Sequence, residues 1–360
     1  MRKIAVMPDR ATKNNYASVG REREALQRLP AILEDLLDEP VAASLKLSEA
    51  DDGVDAVVDA RGYRWLIEVK SGSSPGAVAL VADHMERLPI QDGMAMLVVP
   101  FMTPAGAKTA ADRNLNWLDL SGNAHIRAER LYISVQGRPN LFPTRGRPSS
   151  AFAPKSSRVT RALLLNPDRW WRQKELSEHA DLDRGRVSRV VRRLEDDELL
   201  ARDGALLRPR DRDLLLDAWV DEYRFDRHDI ITGHLSGSGV ELARQVDHQL
   251  SRAGVDHAFT GLPAAWMVNR FARFRLNSVY VQGDPRAAAE AIELRRNERG
   301  ANVQLIGPSD RGVFDGQRNI DGLPCASLVQ VYLDLLSLPE RAPEAAEELR
   351  QGGAIWHATT

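Results

Sequence analysis

Residues 53–59 read GVDAVVD, and residues 65–72 read WLIEVKSG. Both segments have the apolar, β-branched composition of strands, and the Arg-Gly pair between them predicts a turn. Asp55 lies at the start of the first predicted strand, and Glu68 and Lys70 lie at the end of the second. Residues two apart in a strand share a face, so Glu68 and Lys70 point the same way. A hairpin could bring Asp55 alongside Glu68.

Two carboxylates and one ammonium group at a sheet edge are suited to hold a divalent metal beside a scissile phosphate. Mg²⁺ prefers oxygen ligands and usually takes one or two carboxylates, and the cation also relieves their mutual repulsion. Lys70 could orient the attacking water or neutralise charge that develops on the phosphate. The alternative is a surface ion pair without catalytic role, since Glu-x-Lys is common on strands.

The spacing resembles that of the PD-(D/E)xK nucleases, the restriction-endonuclease-like superfamily. The resemblance implies that Asp55, Glu68 and Lys70 are the catalytic positions. It also implies that Asp55, Glu68 and the Val69 carbonyl are the ligands of Mg²⁺ or Mn²⁺ if the site is active, and that no cofactor is needed otherwise. Many members of the superfamily that occur in regulators are thought to be inactive, so both readings stay open.

The surrounding pattern extends the first predicted domain over residues 1–142. Residues 21–37 have leucines at helical spacing, and a helix near 76–88, a buried strand at 94–99 and a helix at 104–114 follow. A strand, a Ser-Gly-Asn turn and a second strand are predicted within 115–126. The superfamily often adds a glutamate from its first helix. Glu22 and Glu24 are both candidates, and the sequence does not choose between them.

Composition indicates a chain of two or three globular domains. It has 360 residues, 43% of them apolar, and a net charge of −2. Residues 145–193 contain 13 Lys or Arg against 5 Asp or Glu, so the basic charge is local. Cys325 is the single cysteine, which excludes an internal disulfide and predicts a small buried side chain. No stretch approaches eighteen apolar residues, and a cytoplasmic protein without a membrane partner is expected.

Residues 143–156 are predicted to be a basic, flexible linker, because prolines, glycine and serines argue against a packed element. The arm either follows DNA phosphates or is a solvated linker only. Residues 157–212 then fit a winged helix-turn-helix that binds double-stranded DNA. Its helices are predicted at 157–165, 173–179 and 184–196, with Asp183 as the N-cap of the third.

The third helix has the pattern of a DNA-recognition helix. Val187, Val190, Val191 and Leu194 form one core-facing stripe at i, i+3, i+4 and i+7. The remaining surface presents polar side chains that could reach guanine edges or phosphates in a major groove. The DNA-binding candidates on this helix are Arg184, Arg186, Ser188, Arg189, Arg192 and Arg193. A basic surface helix in an interaction domain is the alternative.

Residues 199–208 predict the wing. Asp203 and Gly204 favour a two-residue type I′ turn between two short strands. Arg202 and Arg208 on these strands could contact the DNA backbone or the minor groove. Paired winged helices read two half-sites, so a homodimer is plausible.

Residues 213–360 predict an α/β domain with a strand, glycine, helix and strand order that resembles a degenerate nucleotidyltransferase core. Such a core needs a pair of acids on its second strand to hold Mg²⁺. The corresponding residues 276–281 read LNSVYV and contain no acid. We therefore expect no transferase catalysis here, and an interaction or DNA-supporting role instead.

Four segments of this region carry a second resemblance. They read FTGLPAAW (259–266), VQVYLDL (329–335), PER (339–341) and AAEELR (345–350). These segments resemble the C-terminal region of AbiEi-family proteins, the antitoxin and regulator components of type IV toxin–antitoxin systems. The resemblance implies that the protein regulates its own operon, that it binds DNA through a winged-helix domain and that it has a cognate toxin partner. The nuclease-like first domain departs from that pattern.

The sequence thus predicts an α/β multidomain protein with a restriction-endonuclease-like domain, a winged helix-turn-helix and a C-terminal α/β domain. The favoured function is a DNA-binding transcriptional regulator that resembles AbiEi antitoxins. A Mg²⁺-dependent DNA endonuclease targeted by the winged helix, for phage defence or repair, is the alternative. A protein-interaction scaffold that acts by contact with a toxin is the third.

Overall fold

A computed structural model describes residues 25–41, 46–47, 53–88, 93–142, 150–296, 299–339 and 341–356. The chain divides into two compact units, residues 1–148 with 195–199 and residues 149–194 with 200–360. Helices and strands are mixed along both units, which confirms the predicted α/β multidomain class. No helix of the described ranges has the length and apolarity needed to cross a membrane. Glu22 and Glu24 lie outside the described residues.

The first unit is built on a seven-stranded sheet whose strands lie side by side in chain order. The strands are β1 (Lys46–Leu47), β2 (Ala56–Ala60), β3 (Tyr63–Val69), β4 (Met94–Val99), β5 (Asn116–Asp119), β6 (Ala124–Ala128) and β7 (Leu131–Val135). The helices are α1 (25–37), α2 (Pro75–Arg87) and α3 (Pro104–Asp112). β3, β4 and β5 are parallel, with α2 and α3 as the crossovers, and the other neighbours are antiparallel. The carboxyl ends of the three parallel strands therefore share one edge.

The parallel strands β3, β4 and β5 are largely buried on both faces, as expected for the parallel part of a sheet. On β4, Met96 and Val98 belong to the core that includes α1, and Leu97 and Val99 belong to the core that includes α2. The two sets alternate because successive side chains of a strand point to opposite faces. The continuous apolar run of β4 follows from this two-sided burial.

A buried carboxylate fixes the connection between β5 and β6. Asp119 is fully buried and accepts hydrogen bonds from the amides of Met102, Ser121 and Asn123, and from the Asn123 side chain. These four donors compensate the burial of its charge. The strand, turn and strand predicted here are confirmed, and Asp119 serves as the anchor of the turn.

Three helices and a small sheet are here called the trihelical segment (residues 157–209), and all of it except residues 195–199 belongs to the second unit. Its elements are α4 (Ser157–Leu165), β8 (Trp171–Arg172), α5 (Gln173–His179), α6 (Arg184–Asp196), β9 (Leu200–Asp203) and β10 (Leu206–Pro209). The sheet is antiparallel with the order β8-β10-β9. The predicted bounds of all three helices are confirmed.

Part of the predicted flexible linker packs into the second unit, which corrects its boundary. Residues 143–149 lie outside the described residues, but residues 151–156 form turns directly before α4. Ala151 and Phe152 are buried, and Phe152 stacks on Trp219 with ring centroids 6.3 Å apart. Two apolar side chains among the prolines and serines are enough to anchor this stretch.

The rest of the second unit is a seven-stranded mixed sheet with helices, here called the C-terminal α/β part. Its helices are α7 (Arg212–Glu222), α8 (Gly239–Arg252), α9 (Gly261–Asn269), α10 (Pro285–Ala291), α11 (Leu328–Ser337) and α12 (Ala342–Gln351). Its strands are β11 (Asp229–His234), β12 (His257–Thr260), β13 (Asn277–Val281), β14 (Arg295–Arg296), β15 (Val303–Gly307), β16 (Arg318–Ile320) and β17 (Leu323–Cys325). Their order is β14-β11-β15-β13-β12-β17-β16.

Candidate functional site

The predicted acid and lysine positions meet at the carboxyl end of β3. Asp55 directly precedes β2, and its Oδ2 accepts a hydrogen bond of 2.7 Å from the amide of Val69. The Lys70 ammonium pairs with Glu68 Oε1 at 2.5 Å. The β2–β3 hairpin brings these groups together, because its register pairs Ala56 with Ile67. The side chain of Asp55 thus lies within hydrogen-bond distance of the residue between Glu68 and Lys70.

Two carboxylate oxygens at this sheet edge are available as ligands for a metal ion. The second oxygen of Asp55 and of Glu68 has no hydrogen-bond partner among the described residues. The Glu68 side chain is only 12% exposed, whereas Lys70 is 41% exposed. The described ranges contain no group of three or more metal-binding side chains at this place. Two carboxylate oxygens suit Mg²⁺ or Mn²⁺, and water or phosphate would have to complete the shell.

Helix α6 exposes arginines on one side and buries apolar side chains on the other. Val187, Val190, Val191 and Leu194 are at most 1% exposed, which confirms the predicted stripe. Arg184, Arg189 and Arg192 are exposed. Arg186, Ser188 and Arg193 are half-buried at the flanks of that face. No acidic residue lies between 184 and 194, so this part of the helix surface is positively charged.

The turn before α6 is held by its own side chains. Asp183 Oδ1 accepts a hydrogen bond of 2.8 Å from the Arg186 amide, so Asp183 is the N-cap that the sequence predicts. Asp181 adopts a positive φ of 49° in the turn between α5 and α6. Ser177 closes the turn through a hydrogen bond from its hydroxyl to the Leu182 carbonyl. The orientation of α6 against α5 is therefore fixed locally.

The β9–β10 hairpin differs from its prediction by one residue. Asp203 pairs with Leu206, so the two-residue loop consists of Gly204 and Ala205 rather than Asp203 and Gly204. Only Gly204 has a positive φ, of 55°, whereas a type I′ turn needs two such residues. The predicted turn type is therefore wrong, because Asp203 continues the strand ladder instead of entering the turn.

The two arginines of this hairpin have different surroundings. Arg202 is exposed, and its guanidinium reaches back to the Gly204 carbonyl at 3.4 Å. The Arg208 guanidinium lies 4.7 Å from the centre of the Trp170 ring, and its Nε is buried. Arg202 is therefore the more accessible of the two to a ligand, whereas Arg208 lies against its aromatic partner.

An ion pair ties the trihelical segment to the C-terminal α/β part. Arg158 on α4 makes two hydrogen bonds of 2.7 Å with the carboxylate of Asp310. The two side chains are 9% and 8% exposed, and Asp310 also caps the following turn through the Gly312 amide. Asp310 raises the pKa of Arg158 through this paired contact. The bidentate geometry makes the pair both strong and directional.

A buried polar cluster lies behind this ion pair. Asp334 on α11 is fully buried and accepts hydrogen bonds from Thr260, from the Gln330 side chain at 2.7 Å, and from the Tyr223 and Tyr280 hydroxyls at 2.5 and 2.9 Å. Burial raises the pKa of Asp334 to about 6, although these hydrogen bonds act in the opposite direction. Four donors around one carboxylate specify a single arrangement of the core.

The cluster extends to α4 through Arg161. The Arg161 guanidinium is 2% exposed, donates to Gln330 Oε1 at 2.6 Å and lies 5.0 Å from the centre of the Trp219 ring. Burial lowers its pKa. The sequence interpretation missed this cluster. The sequence feature that could have predicted it is the pair Gln330 and Asp334. These two polar residues are four positions apart, so they lie on one face of an otherwise apolar helix.

His228 completes the chain of hydrogen bonds in its neutral form. Burial, and after it the charge of Arg161, lowers the pKa of His228 to about 4. The Ser309 amide donates to His228 Nδ1 at 3.0 Å, so the proton of the neutral ring lies on Nε2. That nitrogen is 3.1 Å from the Tyr223 hydroxyl, which itself donates to Asp334. The network joins α4, α7, β13 and α11 without an exposed reactive group.

Comparison with known proteins found a match for one part of the chain. No curated protein and no solved structure matches it. A family model covers residues 208–354, less than half of the chain, and comprises most of the C-terminal α/β part. The model is described as "Transcriptional regulator, AbiEi antitoxin, Type IV TA system". The C-terminal part of this chain is therefore similar to the AbiEi antitoxins of type IV toxin–antitoxin systems.

Proposed function

We propose that this protein is a DNA-binding transcriptional regulator of the AbiEi type, in which the trihelical segment acts as a winged helix-turn-helix. The observation that supports this most is the exposed arginine face of α6 opposite its buried stripe. A helix of this kind fits a major groove, where arginine recognises guanine by two hydrogen bonds. The match of residues 208–354 to antitoxin regulators supports the regulatory role independently.

The individual contacts can be assigned by position on α6. On this proposal the exposed Arg184, Arg189 and Arg192 would reach base edges, and the half-buried Arg186, Ser188 and Arg193 would contact flanking phosphates. Arg202 on the β9–β10 hairpin would add a backbone or minor-groove contact. Two copies of the chain would read two half-sites as a homodimer. A cognate toxin encoded beside this protein is the further partner that the family similarity suggests.

Selection of bound duplexes from a random DNA pool, in the presence of excess non-specific competitor, tests the proposal. We expect enrichment of a defined half-site that occurs twice with a fixed spacing. The spacing should be near 10 base pairs or a multiple of it, because each α6 must enter the same face of the duplex. Binding without preference over the competitor would contradict a sequence-specific regulator.

We propose metal-dependent DNA cleavage as a second candidate function, carried by the sheet edge of the first unit. Asp55, Glu68 and Lys70 converge at the end of β3, and each carboxylate keeps one oxygen without a partner among the described residues. Asp55, Glu68 and the Val69 carbonyl would hold Mg²⁺ or Mn²⁺, which would activate water and stabilise charge on the phosphate. Lys70 would neutralise the negative charge that develops there.

Incubation with supercoiled plasmid and Mg²⁺ or Mn²⁺ tests this second candidate. If the edge is catalytic, Lys70→Ala should lower the nicking rate by at least about 100-fold, the usual loss for removal of a charge-stabilising group. Lys108→Ala is the matched control, because Lys108 is 50% exposed and also pairs with a carboxylate. Equal nicking by all three proteins would point to a contaminating nuclease. Absence of nicking would leave the edge a structural or DNA-holding element.

A further inference from the structure

The C-terminal α/β part contains a cavity of about 950 Å³ that the proposed DNA contacts do not use. It opens between the start of α8, the middle of α9, the loop before β13 and the end of α11. The volume lies at the upper end of the range found for small-molecule sites. Its residues all belong to one compact unit, so the cavity does not depend on how the two units are arranged.

The charged side chains that line the cavity are both arginines. Arg273, Arg275 and His234 line it, and all three side chains are exposed. No acidic side chain is among the described residues of the lining. Nearby arginines without intervening carboxylates attract anions, and Arg binds phosphate through two parallel hydrogen bonds. The cavity is therefore suited to an anionic ligand.

Another part of the lining is apolar and aromatic. Trp266 and Phe274 meet edge to face with ring centroids 6.0 Å apart, and Leu262, Leu276 and Leu338 surround them. Trp266 is half-buried and lines the cavity, and the Arg270 guanidinium lies 3.9 Å from the centre of its ring. Aromatic and branched side chains beside a basic rim favour a ligand with a flat ring at one end and charge at the other.

A glycine loop at the start of α8 also lines the cavity. Gly237 and Gly239 have positive φ values of 118° and 55°, a conformation that suits glycine. The N-cap residue Ser238 makes no side-chain hydrogen bond to the first turn of this 14-residue helix. The amides of that turn are therefore not capped by Ser238, and such amides bind phosphate groups well.

A buried amide holds the glycine loop in this conformation. The Asn302 side chain donates to the carbonyls of Leu235 and Gly237 at 2.7 and 3.1 Å and accepts from the Leu235 amide at 2.9 Å. Asn302 is 9% exposed and itself lines the cavity. The loop is thus fixed before any ligand arrives, which lowers the entropic cost of binding.

We propose that this cavity is a binding site for a nucleoside phosphate. The base would pack against the wall formed by Trp266 and the leucines. The phosphates would lie between the glycine loop at the start of α8 and the guanidinium groups of Arg273 and Arg275. The site binds without catalysis, since β13 beside it carries Asn277 and Ser278 and no carboxylate.

Equilibrium dialysis of the full chain with radiolabelled ATP, GTP, CTP and UTP, each tested up to millimolar concentration, examines this proposal. We expect at least one of them to bind once per chain. The free nucleoside and inorganic triphosphate should each compete at least about tenfold more weakly than the bound nucleotide, because each fills only half of the site. Failure of all four nucleotides to bind, or equal competition by inorganic triphosphate alone, would overturn the proposal.

Substitutions in the lining test whether the nucleotide binds in the cavity. Arg273→Ala and Arg275→Ala should each weaken nucleotide binding by about tenfold or more, since each removes a charged hydrogen-bond donor. Arg252→Ala is the matched control, because Arg252 is exposed at the far end of α8. Ser238→Glu should also weaken binding, while its added charge at the start of α8 favours the folded helix. Unchanged affinity in the two cavity arginine variants and in Ser238→Glu would place the nucleotide elsewhere and refute the assignment.

Discussion

Replacement of Asp310 by alanine should lower the free energy of opening of the trihelical segment by about 3–5 kcal/mol, the usual cost of removing one partner of a buried ion pair. Arg158 would remain on α4 with its guanidinium about nine-tenths buried and both bonds to Asp310 lost. The Gly312 amide would lose its cap at the same time. Hydrogen exchange of peptides that cover residues 157–165 measures this opening in the full chain.

Two comparisons isolate the effect of the pair. Asp229→Ala removes an exposed carboxylate that pairs with Arg286 at 3.0 Å, and it should cost at most about 1 kcal/mol. In the Asp310→Ala variant, Arg158 would keep only the Asp181 carboxylate, 3.8 Å away, as an ion-pair partner. Arg158→Leu introduced into that variant removes this poorly balanced buried charge, so the double variant should be more stable than Asp310→Ala alone. Losses that simply add in the double variant would mean that Arg158 and Asp310 act independently.

Replacement of both Arg189 and Arg192 by alanine should weaken binding to the selected DNA site by about 30-fold or more. Each arginine that reads a base contributes about 1–3 kcal/mol, and the two losses together amount to about 2–6 kcal/mol if they add. Both side chains are exposed on α6, so their removal leaves the buried stripe intact. Titration of labelled duplex at constant salt measures the change, because the affinity depends strongly on ionic strength.

The control for this pair is Arg244→Ala with Arg252→Ala, two exposed arginines on one helix of the C-terminal α/β part. This variant has the same net charge as the α6 variant and should bind the selected site almost as wild type does. A loss shared by both variants would indicate a general electrostatic effect rather than recognition by α6. An equal loss of affinity for selected and random duplexes would indicate that the α6 arginines contact phosphates and not bases.

The spacing of apolar residues predicted most of the helices and strands, because the residues that this spacing places on one face are the ones that pack into the core. The stripe of α6 is buried as its spacing indicates, and the strand at Met94–Val99 is buried on both faces as its apolar run indicates. The hairpin that brings Asp55 to Val69 also follows from local signals, since Arg61 and Gly62 both adopt positive φ. β7 gave no such signal, because its residues are alternately half-buried and exposed with no fully buried position.

The structural features that could not be predicted from the sequence depend on contacts between residues that are distant in the chain. Asp334 receives donors from Tyr223, Thr260 and Tyr280, which lie between 54 and 111 positions away. No periodicity encodes that convergence, although a lone acid within an apolar helix indicates that some partner exists. The β9–β10 turn shifted by one residue for a related reason, because strand pairing with β10 extended through Asp203.

Cys325 gives the protein a natural reporter of its own opening. It is the single cysteine of the chain, it is fully buried in β17, and burial raises the pKa of its thiol to about 12. The folded protein therefore presents almost no thiolate to an alkylating reagent, since thiolate is the reactive form. A molecule can react only after the core around β17 has opened far enough to admit the reagent. The rate of alkylation therefore measures how often the C-terminal sheet opens, and the measurement needs no engineered label.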